Sequence, residues 1–73
     1  MEKEKFIKAL GEQIGQIRND KKLSLYKLAQ KTGKQPGALQ RLEKGKITPS
    51  IYYLSEIANG LGVELEELVK GLP

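Results

Sequence analysis

The side chains of this chain that can do chemistry are cations and amides gathered in one stretch. Residues 21–46 hold Lys21, Lys22, Lys27, Lys31, Lys34, Arg41, Lys44 and Lys46 against Glu43 alone, a net charge of +7. Residues 1–20 are electrically balanced, and residues 50–73 sum to −3. The overall formal charge of +4 therefore comes from a basic centre and an acidic C-terminal third. A cationic patch of this kind is the electrostatic footprint expected for a polyanion partner. The parts of an enzyme are missing. There is no His and no Cys, which removes the commonest general base, the commonest metal ligand and any disulfide. The acids group only at Glu64, Glu66 and Glu67, read as a surface run. An enzyme is not expected, and neither is a metal or a cofactor.

The elements that must carry these residues are short helices. Ser24 has the side chain of an N-cap, and Leu25, Leu28, Ala29 and Thr32 follow at helical spacing. Gly33 is a helix stop, and Pro36 suits the first turn of the next helix, where its missing N–H costs nothing. Leu39 and Leu42 give that second helix one apolar face, leaving Gln35, Pro36, Gly37, Ala38, Gln40 and Arg41 on the other. Helices this short are unstable alone in water, so both must dock on the rest of the chain.

The rest supplies three more helices. Phe6, Leu10, Ile14 and Ile17 mark a first helix over Glu4 to Lys21, interrupted by Gly11 and Gly15 but read as continuous. Ser50 caps a fourth over Ile51 to Leu61, with Ile51, Leu54, Ile57, Ala58 and Leu61 as its core stripe. Val63 should plug the core after the Gly62 stop, and Leu65 to Lys70 makes a short fifth helix. Ile47 turns inward from the loop before Pro49, and one of the adjacent Tyr52 and Tyr53 must be exposed. With no strand signal, linker or repeat, the expectation is an all-α five-helix bundle forming a single domain over residues 1–73. No apolar run has membrane-spanning length and no secretory signal is present, which fits a cytoplasmic protein without a membrane partner.

The stretch from Ser24 to Glu43 resembles the helix-turn-helix of the phage-repressor (Cro/repressor, XRE-like) family. The matching residues are Leu23-Ser24, Leu28-Ala29, Gly33, Leu39, Arg41, Leu42, Glu43 and Gly45. Pro49-Ser50, Leu54, Ile57-Ala58, Leu61-Gly62-Val63 and Leu65-Glu66-Glu67-Leu68 continue the match in register, so it runs from about Gly11 to Val69. Each match is weak by itself; the ordered set is specific.

The resemblance implies a regulator of transcription that binds double-stranded DNA, most simply a repressor occupying an operator. The helix around residues 35–44 would enter the major groove and present Gln35, Pro36, Gly37, Gln40 and Arg41 to base edges. Arg41 can fork onto guanine O6 and N7, and Gln35 or Gln40 can pair with adenine N6 and N7. Pro36 and Gly37 stand where polar readers are frequent in the family, which shifts weight to DNA shape and phosphate contacts. Ser24, Tyr26, Lys34, Lys44 and Lys46 are the phosphate candidates, with packing the alternative for Tyr26 and solvation for the lysines. Lys34 replaces a usually apolar residue, its stem covering the core edge while its charge reaches phosphate. Arg18 is expected to pair with Glu43 and clamp the first helix to the third. Such proteins commonly dimerise on two-fold sites. A homodimer through the acidic C-terminal third is expected here, with Val69 and Leu72 exposed. Bound to DNA, the protein would be associated with the nucleoid. The alternative is a small protein-interaction regulator, such as an antitoxin, whose main partner is another protein.

Overall fold

The computed structural model describes residues 2–73. Five helices follow one another: α1 (Lys3–Asp20), α2 (Leu25–Thr32), α3 (Pro36–Glu43), α4 (Ile51–Leu61) and α5 (Leu65–Val69). Among the described residues there is no strand. The principal contacts close a ring, α1 on α3, α3 on α2, α2 on α4, α4 on α5, and α5 back on α1. Each short helix thus buries an apolar stripe on two neighbours, which is what lets eight-residue helices such as α2 and α3 persist.

The core is aliphatic. Leu10 and Ile14 of α1, Leu28 and Ala29 of α2, Leu39 and Leu42 of α3, Leu54, Ile57, Ala58 and Leu61 of α4, and Leu68 of α5 are buried together. Phe6, Ile17, Ile47, Tyr53, Val63 and Leu65 pack around them, half-buried.

Local chemistry sets the helix ends. Ser24 Oγ accepts from Lys27 N–H at 3.0 Å, and Ser50 Oγ accepts from Tyr53 N–H at 3.0 Å. Gly33 ends α2 in the left-handed region at φ 69°, a conformation that costs glycine little. The α1 helix runs through Gly11 and Gly15 without a break. A Cβ at Gly11 would lie 2.4 Å from Leu42 O and 2.6 Å from Glu43 O. Its absence is what lets α1 meet the α3 backbone so closely.

Two expectations are corrected. Ile51 is not in the core: it is 69% exposed. It is the first residue of α4, exposed beside Tyr52, and burial on this helix begins one turn further in, at Leu54. Leu72 is not exposed; it folds back against the core beyond α5, leaving Val69 as the C-terminal apolar residue at the surface. A support absent from the sequence reading is Gln13 of α1. Its Nε2 lies 3.0, 3.0 and 2.9 Å from the carbonyl oxygens of Glu67, Leu68 and Lys70, so its two N–H groups are shared among carbonyls that a helix end leaves unpaired.

Candidate nucleic-acid interface

The α3 helix presents two faces. Leu39 and Leu42 are fully buried, while Gln35, Gly37, Gln40 and Arg41 are exposed and Pro36 and Ala38 half-buried. Gln35 is the N-cap residue and makes no capping bond with its side chain, so its amide points to solvent uncommitted. Gly37 and Arg41 stand one helical turn apart, and a Cβ at Gly37 would come within 3.6 Å of Arg41 Nη1. The Arg41 side chain therefore leans back towards the start of α3, as long helical side chains do, over the space that Gly37 leaves open. A guanidinium and the Gln35 and Gln40 amides thus share the outward N-terminal half of one helix.

The far end of α3 is clamped. Arg18 Nε donates to Glu43 Oε2 at 2.7 Å, Nη2 to Glu43 Oε1 at 3.1 Å, and Nη1 to Leu23 O at 2.7 Å. One side chain thereby joins α1, the start of the helix-turn-helix and the end of α3. The hydrogen bond to Glu43 raises the Arg18 pKa above its ordinary value, with burial opposing and the Glu43 charge assisting.

The lysines separate into two groups. Lys44 and Lys46 are exposed at the end of α3, where Lys46 N–H bonds back to Arg41 O at 2.9 Å and Gly45 N–H to Leu42 O at 3.1 Å. This Schellman closure fixes where both lysines leave the helix. Lys34, the third lysine expected at phosphate, has partners within the fold. Its Nζ lies 2.7 Å from Glu56 Oε1 and 4.2 Å from the centroid of the Tyr53 ring, so α4 holds its charge. Tyr26 is 75% exposed near Ser24 and Pro36, in the shallow groove between the starts of α2 and α3. Ser24 spends its lone pair on the cap and keeps its O–H as a donor. Sequence reasoning missed Glu56 and Tyr53. The available signal was a charged residue directly after a helix-stopping glycine, which needs an acceptor nearby.

Among the described residues no cluster of His, Cys, Asp and Glu could hold a metal ion, and no helix is long and apolar enough to cross a membrane.

Comparison with known proteins bears on the fold and the family. The chain is 40% identical over 52 residues to multiprotein-bridging factor 1a of Arabidopsis thaliana, covering 71% of this chain and 37% of that protein. The fold superposes on an HTH_3-family transcriptional regulator from Vibrio cholerae with a TM-score of 0.87 and 30% identity, covering 92% of this chain and 38% of that one. It also superposes on the DNA-binding domain of BldD with a TM-score of 0.83 and 28% identity, over the full length of both. This chain thus spans little more than a third of the first two. The helix-turn-helix family model, HTH_3, matches residues 14–68. The chain belongs to the helix-turn-helix (HTH_3) family.

Proposed function

We propose that this chain represses transcription by occupying an operator in double-stranded DNA. The α3 helix enters the major groove with Gln35, Pro36, Gly37, Gln40 and Arg41 at base edges. Lys44, Lys46, Ser24 and Tyr26 meet phosphates on either side. The observation that carries this reading is the division of α3. Its buried leucines face the core, and its exposed amides and guanidinium stand free at the centre of a stretch with net charge +7. Direct base readout rests on three side chains, Gln35, Gln40 and Arg41, because Gly37 offers backbone alone and Pro36 an apolar contact to a thymine methyl. One recognition helix spans few base pairs, so the protein acts as a homodimer through its acidic C-terminal third, with Val69 at the surface of the contact. Its place is the cytoplasm, at the nucleoid.

The test is fluorescence anisotropy on labelled duplexes with an Arg41→Ala, Lys44→Ala double variant, beside sedimentation equilibrium with and without DNA. Tight binding by the parent chain, lost in the variant, is expected, with a mass of twice 8.1 kDa on DNA. Absence of binding by the parent chain would reject the reading, and a species of 8.1 kDa alone would reject the dimer.

A further inference from the structure

Lys34 is the residue through which the chain passes from α2 to α3. Gly33 takes the left-handed turn, and Lys34 N–H bonds back to Ala29 O at 3.1 Å. In a helix stop of this kind the residue after the glycine commonly lays an apolar side chain on the last turn. A lysine can do so with its stem if its ammonium is met where the stem ends. That condition holds here. The Lys34 side chain is 15% exposed, Glu56 Oε1 accepts its ammonium at 2.7 Å, and the Tyr53 ring lies beneath it at 4.2 Å. Both partners belong to α4, and the next residue, Gln35, caps α3.

We propose that Lys34, Glu56 and Tyr53 form a clasp that fixes the turn between α2 and α3. Lys34 is then a positioning residue for the Gln35–Pro36 end of the recognition helix and makes no phosphate contact. The clasp stands on the α4 geometry alone; its effect on recognition rests on the DNA-binding reading given above. A cation–aromatic contact and an ion pair acting on one ammonium hold it more firmly than either alone. Moving the turn tilts the reading end of α3, whereas losing a phosphate contact would leave that tilt unchanged.

A charge-swap cycle on the whole chain tests this, with Lys34→Glu, Glu56→Lys and the double variant compared with the parent. Two readouts are taken, thermal unfolding without DNA and affinity for a selected duplex relative to a random one across a salt series. Lys34→Glu should lower the unfolding midpoint and cut the selected-to-random ratio about fivefold, the scale of one partly exposed ion pair. Adding Glu56→Lys should restore both, the ratio to within about twofold. The salt slope of the double variant should match the parent, because no phosphate contact has been removed. A double variant as weak as Lys34→Glu, with a slope lower by about one unit, would put Lys34 on phosphate and overturn the proposal. Unfolding midpoints that show no coupling would overturn the clasp itself. If the parent binds no duplex, the DNA reading falls and the positioning role with it, and the unfolding cycle still decides the clasp.

Discussion

Arg18 holds Glu43 by two parallel bonds, Nε to Oε2 at 2.7 Å and Nη2 to Oε1 at 3.1 Å, across 25 residues of chain. The fork matches the carboxylate geometry, and both side chains are mostly shielded from water. The Glu43 carboxylate also sits over Gly15, whose Cβ would come within 3.1 Å of Oε1. The pair therefore anchors the end of α3 to α1, and the exposed start of α3 projects from that anchor.

Replacing Glu43 by Ala should destabilise the fold by about 2 kcal/mol, since it removes charge-assisted bonds and leaves guanidinium donors half-buried. The Leu23 carbonyl still accepts from Nη1, which limits the loss. Chemical denaturation measures it. The pH dependence follows from Arg18. Its pKa is raised in the fold, so the stability it adds is fully present below its ordinary value and is lost only as pH rises through the raised one. That window is strongly alkaline, and with no His in the chain stability should be nearly flat from roughly pH 6 to 9. A mid-range inflection in a denaturation series would contradict this.

Two glycine-to-alanine changes should move stability in opposite directions. At Gly11 the new Cβ meets the Leu42 and Glu43 carbonyls at 2.4 and 2.6 Å. The clash outweighs the gain of roughly 1 kcal/mol in helix propensity, for a net loss of about 1–3 kcal/mol. At Gly37 the nearest atom is Arg41 Nη1 at 3.6 Å, an ordinary contact, so Gly37→Ala should stabilise by about 0.5–1 kcal/mol. Thermal unfolding of the two variants decides both.

Arg41 and Lys44 should fail in different ways. Arg41→Ala should cost about 1–3 kcal/mol on the preferred duplex and relax preference at one base pair. Lys44→Ala should weaken binding to all duplexes alike and lower the salt slope by about one unit. A salt titration on selected and random DNA separates the two outcomes.

Ile51 and Ile57 are both expected in the core stripe of α4 but have different surroundings. Ile57 is fully buried, and Ile57→Ala should cost about 2–5 kcal/mol. Ile51→Ser should stay within about 0.5 kcal/mol of the parent. A large loss at Ile51 in urea denaturation would mean that its side chain is covered in solution.

Much of the fold could be read from residue type and spacing because its causes are local. Ser24, Gly33, Pro36, Ser50 and Gly62 act within their own turns, and they set five helix ends within a residue or so. The stripe of Leu54, Ile57, Ala58 and Leu61 is likewise a property of one helix. The division of α3 into a buried face and an exposed face follows from the same periodicity. What escaped depended on distance in the chain. Periodicity assigned Ile51 to the core and cannot say that burial on α4 begins only at Leu54. Gln13 meets α5 across more than fifty residues, and Lys34 meets Glu56 across 22. The sequence suggested phosphate for Lys34, Lys44 and Lys46 alike, and only the packing of α4 sets Lys34 apart.

Selection of the purified chain against a random duplex pool near physiological salt decides whether α3 reads bases. Enrichment of a two-fold-symmetric site with half-sites about one helical turn apart is expected, with loss of that enrichment in Arg41→Ala. Binding that enriches no sequence and collapses with salt would reduce the interface to phosphate contacts and contradict base readout by α3.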